Sequence, residues 1–220
     1  MELRRFAIKD FNLLIKSAKL YDKNLKDNDF LIVFKDENKI NYVEVKCRKM
    51  NFMHLTGVKY INRNLRDRIK PNGDYQETYA NHFYDLIMSN RLDIEHCYYK
   101  IDGTTSIKLE ILSQVFNFPY NAAMIGNYNN VKPHLYTKKL CGGVACCMGF
   151  VNANASFYPN TTLKEDIRKL TERVCPIVMI CKKNKNKAKY EEVTRKGKLL
   201  KSVKLPKEIL EMLSEECIIK

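Results

Sequence analysis

The chain has 220 residues, 45% apolar and 29% charged, the balance of an ordinary soluble globular protein with one good-sized core or one domain plus a small appendage. No apolar run approaches the ~18 residues needed to span a bilayer, and Lys9 and Asp10 interrupt the apolar stretch that a signal peptide would need, so a cytoplasmic location is expected. The net charge of +14 favours nucleic acid or an anionic surface as partner, although lysines that only keep the chain in solution would give the same figure.

In chain order, FAIKDFNLLIKSAKLY (6–21) places Phe6, Phe11, Leu14, Ile15 and Ala18 near one helical face. FLIVFKD (30–36) and INYVEVKCRKM (40–50) flank the turn-prone ENK and predict a β-hairpin. After NFMHLTGV (51–58) comes a polar, basic stretch around Pro71-Asn72-Gly73-Asp74 that reads as a loop. ETYANHFYDLIMSNRL (77–92) reads as an amphipathic helix with Tyr79, Phe83, Leu86 and Ile87 inward, and a further helix is expected over 106–116, ended by Pro119.

Beyond Pro119 the pattern shifts to short β-prone runs, MIGNYNN, HLYTKKL, GGVACCMGFV and ASFYPNTT, separated by Asn, Gly and Pro. TLKEDIRKLTE (162–172) is compatible with a short helix capped by Thr161 or Thr162, with Glu165 in reach of a capping box. CPIVMICKK then reads as a core strand, and the Lys/Asn tract leads to YEEVTRKGK and a terminal helix, LPKEILEMLSEE. Helices first and strands second make the class α+β, with an antiparallel sheet of about four or five strands. The eight cysteines form no CxxC pair, and Cys175, Cys181 and Cys217 sit in apolar surroundings, so all eight read as structural.

Several segments in order resemble one family: FMHLTGV (52–58), HFYDLI (82–87), TTSIKLEIL (104–112), IGNYNN (125–130), SFYPNTTLKEDIR (156–168) and the strand ending in the Lys tract (177–189). Together they are similar to the fourth phage group of barnase–EndoU–colicin–RelE-like nucleases, domains of phage polyvalent proteins and mobile elements that are inferred to cut RNA. The resemblance covers about residues 30–195 and is most specific at the His-Leu-Thr-Gly tetrad and at Pro-Asn-Thr followed by Leu, Asp, Ile and Arg. It implies N-terminal helices packed on an antiparallel nuclease-like sheet, with residues 1–29 as an N-terminal helix, 30–198 as the nuclease-like domain and 199–220 as a helical tail. It also implies an endoribonuclease that needs no metal and no cofactor, with RNA as partner.

Such an enzyme lets the RNA 2′-OH attack the adjacent phosphate, and needs a base, an acid and cations for the phosphorane charge. His54 suits a proton-transfer role, and Gly57 beside it would let backbone N–H groups approach a phosphate; the alternative is a His that only closes a strand-to-loop hydrogen bond. The Thr56 hydroxyl either joins it or satisfies a local turn. Ser156, Asn160, Thr161, Asp166 and Arg168 cluster around a strand-to-helix transition, where Asn160 or Thr161 is equally able to serve as a cap and Arg168 to point at phosphate or at solvent. Lys108 resembles a basic position of the family, yet a helical Lys is usually a solvated one. Tyr84 is a candidate base-stacking ring or a core aromatic.

Lys182, Lys183, Lys185, Lys187 and Lys189 are candidates for tracking an RNA backbone. His82, His96 and His134 have less support, and no HExxH, GxxxxGK[ST] or GxGxxG occurs. Two functions compete. One is a metal-independent endoribonuclease acting on host or defence-system RNA, such as a guide RNA. The other is a non-catalytic anti-defence protein, of the anti-CRISPR kind, that docks on a host defence ribonucleoprotein and needs the basic surface but no convergent pocket.

Overall fold

A computed structural model describes residues 4–61, 75–130 and 134–218. Helix α1 (Ile8–Asn24) buries Leu14, Ala18 and Tyr21 at helical spacing, with Phe11 and Ile15 partly buried beside them. Strands β1 (Asn28–Asp36) and β2 (Lys39–Lys46) form the expected hairpin, closed between Asp36 and Lys39 with Glu37 at φ 53°. Helix α2 (Asn51–Thr56) follows, then β3 (Val58–Tyr60), which pairs with β4 (Cys97–Tyr99) in a small separate ladder. The loop expected around Pro71-Asn72-Gly73-Asp74 lies outside the described residues. Helix α3 spans Tyr75–Met88 and α4 spans Thr104–Val115; Pro119 opens the next short helix, α5 (Phe118–Asn121), as well as marking the end of α4.

The second half supplies β5 (Met124–Tyr128), β6 (Lys139–Gly142), β7 (Cys147–Ala153), β8 (Ser156–Leu163), the one-turn α6 (Ile167–Leu170), β9 (Thr171–Asn184) and β10 (Glu192–Lys196). It closes with α7 (Lys207–Met212) and α8 (Glu215–Ile218). The main sheet has eight strands in the order β1-β2-β8-β7-β6-β5-β9-β10, and β1 also pairs with β9. Seven strands thus close on themselves, with β10 alongside β9. The pairings are antiparallel except for the single parallel bridge Val45 to Phe157 between β2 and β8.

The fold is α+β, and its sheet exceeds the four or five strands expected because β9 is long. Its first half pairs with β5, and its second half pairs with β1 on one side and β10 on the other, joining the first hairpin to the later meander. The helix expected over 162–172 shrinks to one turn, since the β-branched Thr161, Thr162 and Thr171 extend the flanking strands. Its cap is Asp166, which accepts from the Arg168 N–H at 2.9 Å, and not Thr161 or Thr162. The terminal helix breaks in two where Leu213 turns extended and bridges to Tyr190.

The main core lies between the helices and one face of the sheet, around an aromatic cluster of Tyr21, Phe52, Tyr84 and Phe116. Phe30, Ile32 and Phe34 of β1 enter this core, while Leu31 and Val33 face the other way and are covered by Ile209, Leu213 and Cys217 of the C-terminal helices and by Tyr190. A third cluster places Ile167 and Leu170 of α6 on Tyr128, Leu140 and Cys147. All eight cysteines are buried and none forms a disulfide, so they serve as small apolar fillers, and burial raises the pKa of the Cys97 and Cys147 thiols. Among the described residues no helix is long and apolar enough to cross a membrane.

Candidate functional site

Helices α2 and α4 both pack on β8, and the seam between them gathers three of the residues singled out in the sequence. Helix α2 ends at Gly57, whose φ of 66° is the left-handed conformation that glycine adopts without a steric cost. A Cβ at Gly57 would lie 2.9 Å from Cδ of Lys108, so the glycine seats the lysine stem. The space that was expected to receive a phosphate over the Gly57 backbone holds this stem. From there Lys108 reaches across to β8 and donates to Thr161 Oγ1 at 3.0 Å.

The electrostatics of the seam follow from that path. Burial pulls the Lys108 ammonium down to about 8, the Lys100 charge pushes the same way, and Asp102 opposes both. Among the described residues Lys108 forms no ion pair; its hydrogen-bond partner is a neutral hydroxyl. His54, in the last turn of α2, is an exposed residue whose imidazole lies within electrostatic reach of Lys100 and Lys108. Its pKa lies below the ordinary imidazole value, first through desolvation by the surrounding chain and then through the charges of Lys100 and Lys108. A His that is neutral at pH 7 therefore stands in the field of two lysines.

A β-bulge shapes the strand side. Gly149 pairs with Thr161 and Phe150 with Pro159, which leaves Asn160 as the extra residue. Asn160 donates to the Tyr136 carbonyl at 2.7 Å and meets Thr137, while Thr161 lies so close over Gly149 that a Cβ there would sit 2.6 Å from Thr161 Cγ2. Thr162, facing the other way, donates to the Leu55 carbonyl at 3.0 Å and fastens α2 to the strand.

Sequence reasoning passes over Thr105, a fully buried hydroxyl that ties the seam together. It donates to the Gly57 carbonyl at 2.7 Å and accepts from the Lys100 N–H at 2.9 Å. Lys100 is also missed, since nothing in its local sequence distinguishes it from the other lysines. The one signal for both is their position around the turn that opens the helix carrying Lys108.

The other expected site residues lie elsewhere. Thr56 is buried, donates to the Met53 carbonyl at 2.8 Å and accepts from the Val58 N–H, so its hydroxyl is committed to the turn. Ser156 starts β8 next to the Asn154-Ala155 turn, about 16 Å along the strand from Thr161 at ~3.3 Å per residue. Arg168 sits on α6, which packs on β5, β6 and β9, and folds back on Asp166, donating from Nε at 3.0 Å and from a terminal nitrogen at 2.6 Å. Tyr84 is buried among Tyr21 and Phe52 with its hydroxyl on Asp22 at 2.8 Å, which leaves no open ring face for a base.

In the basic tract, Lys182 pairs with Glu192, Lys185 with Asp27 and Lys187 with Glu191, and Lys183 lies over the Tyr190 ring. Among the described residues no group of three or more His, Cys, Asp or Glu is placed to hold a metal ion. Three cavities of about 460, 480 and 310 Å³ open elsewhere, and none is lined by His54, Lys108 or Thr161. A family model described as phage-Barnase-EndoU-ColicinE5/D-RelE like nuclease 4 matches residues 13–199. No curated protein and no solved structure matches the chain.

Proposed function

Because the chain belongs to the fourth group of phage barnase–EndoU–colicin E5/D–RelE-like nucleases, we propose that it is an endoribonuclease of a phage or mobile element that cleaves by transesterification, with His54 and Lys108 acting on one phosphate. The observation that carries this reading is the half-buried Lys108 ammonium, held by a neutral hydroxyl and, among the described residues, in no ion pair with a carboxylate, Asp102 acting on it only through its charge. A buried cation without an anion is costly, and a phosphodiester is the anion that the seam lacks.

In the step itself, neutral His54 takes the proton of the 2′-OH, and the 2′-oxygen forms its bond to phosphorus. The bond from phosphorus to the 5′-oxygen breaks, and the 5′-oxygen receives a proton from the Lys108 ammonium. Before that transfer the same ammonium stabilises the phosphorane charge. The products are a 2′,3′-cyclic phosphate and a 5′-hydroxyl end. The seam lies outside the larger cavities, which suits an extended polymer, and the tract Lys182–Lys189 offers a backbone-tracking surface whose solvent-facing ion pairs exchange readily for phosphates.

The test is cleavage of labelled structured RNAs, guide RNAs included, in EDTA, followed by analysis of the product ends. His54→Ala is expected to lower the rate by about 10²–10⁴-fold while RNA binding is kept. Cleavage that requires a divalent ion, or full activity of His54→Ala, overturns the mechanism. Should no RNA be cut while a host defence ribonucleoprotein is bound and blocked, the non-catalytic inhibitor takes its place.

A further inference from the structure

A second lysine in no ion pair among the described residues stands at the mouth of the strand ring, where the tip of the β1–β2 hairpin faces β5, the start of β6 and the start of β9. Lys139 pairs with Phe150 and lies two residues before Cys141, both of which belong to the main core, so strand alternation turns Lys139 toward the core face as well. At the closed part of such a ring this position is filled by apolar side chains. Here the ammonium donates to Asn127 Oδ1 at 2.6 Å and lies 5.7 Å over the Phe34 ring. Among the described residues it forms no ion pair. Burial lowers its pKa from the ordinary lysine value, as it does for Lys108.

The surroundings narrow what Lys139 can receive. Of the three carboxylates at the mouth, Asp36 and Glu37 are engaged by Arg173, and Glu172 forms no ion pair among the described residues. Lys39 adds a second cation to the lining, and Asn41 adds a carboxamide that forms no side-chain hydrogen bond among the described residues. The open volume beside them is about 460 Å³, within the range of small-molecule sites and far more than a bare phosphate fills. A carboxamide presents the donor and acceptor pair that matches a nucleobase edge.

We propose that this mouth binds a nucleoside monophosphate, with its phosphate on Lys139 and Lys39 and its base edge on Asn41. The site is separate from the His54–Lys108 seam and stands whether or not that seam cuts RNA. Its test is titration calorimetry of the full chain with adenosine, guanosine, cytidine and uridine monophosphates and with inorganic phosphate. At least one nucleotide is expected to bind about tenfold or more tightly than inorganic phosphate, and Lys139→Met is expected to weaken it about ten- to a hundredfold, the loss of one charged hydrogen bond.

Because Lys139→Met touches the core face, the wild-type chain provides a second measurement: amine-selective acylation of Lys139, read by mass spectrometry, is expected to be suppressed by the bound nucleotide. Equal affinity for nucleotide and phosphate, binding indifferent to Lys139→Met, or absence of nucleotide binding and of protection at millimolar concentration overturns the proposal.

Discussion

Lys108 carries a charge that its surroundings disfavour, and the cost has a definite pH signature. The folded protein releases this proton near pH 8, whereas the unfolded chain holds it to about 10.4. Between those values the unfolded state binds more protons, so the Lys108 contribution makes stability rise with pH. Lys108→Met is therefore expected to raise the denaturation midpoint at neutral pH, by a margin that shrinks as pH climbs from about 8 toward about 10.4. Chemical denaturation at several pH values checks this, and a variant less stable than the parent at pH 7 refutes it. His54 runs the other way along the scale. Its lowered pKa keeps it neutral at pH 7, so the cleavage rate is expected to rise through a pKa below the ordinary imidazole value and to fall again near pH 8 as Lys108 deprotonates. A rate that continues to climb beyond pH 9 would remove Lys108 from the proton path. His54 and Lys108 are legible in the sequence through the family-like segments that hold them. Their meeting with Thr161 is not, because it joins residues 53 positions apart, and Thr105 is hidden because a buried threonine looks like any other helix-start residue until its bond across 48 positions is seen.

The end of α2 and the bulge of β8 are the two local devices that bring Lys108 and Thr161 together in the seam. Gly57→Ala forces a side chain into the left-handed region at about 1–2 kcal/mol and sets its Cβ against the Lys108 stem. It is expected to destabilise the fold by about that amount and to lower cleavage further than the lost stability explains, because the ammonium is displaced from Thr161. Denaturation paired with single-turnover cleavage measures both, and a Gly57→Ala chain with parental stability and rate contradicts the described geometry. Helix α1, the first hairpin and β9 are legible because each has a strong period or an unbroken apolar run. The segment 162–172 is not, since TLKEDIR carries helix-forming residues and a plausible cap, while its fate is set by pairing with β7, a partner that precedes it by a hairpin turn. Asn160 and Thr161 read equally well as capping residues, and only the register shift reveals one as a bulge and the other as a hydrogen-bond acceptor for Lys108.

Charge and topology act over the entire chain. Replacing Lys183, Lys185, Lys187 and Lys189 by neutral residues is expected to flatten the slope of log RNA affinity against log salt by about three, at ~0.7–0.9 per phosphate contact. An unchanged slope would leave the tract as solvated surface held by its own acids. The net charge favours a polyanionic partner already in the sequence, whereas the seven-strand ring is not legible there, because its closure depends on β1 meeting the distant β9. That closure also sets a clock. Asp27 and Lys185 pair across 158 positions, so the first hairpin leaves the ribosome long before the strand that completes it. At ~5–20 residues per second the wait is roughly ten to thirty seconds, and contacts of such separation form slowly even afterwards. The ring that braces the seam is thus completed only after β9 has been made, so the first hairpin must wait with its β9-facing edge unpaired.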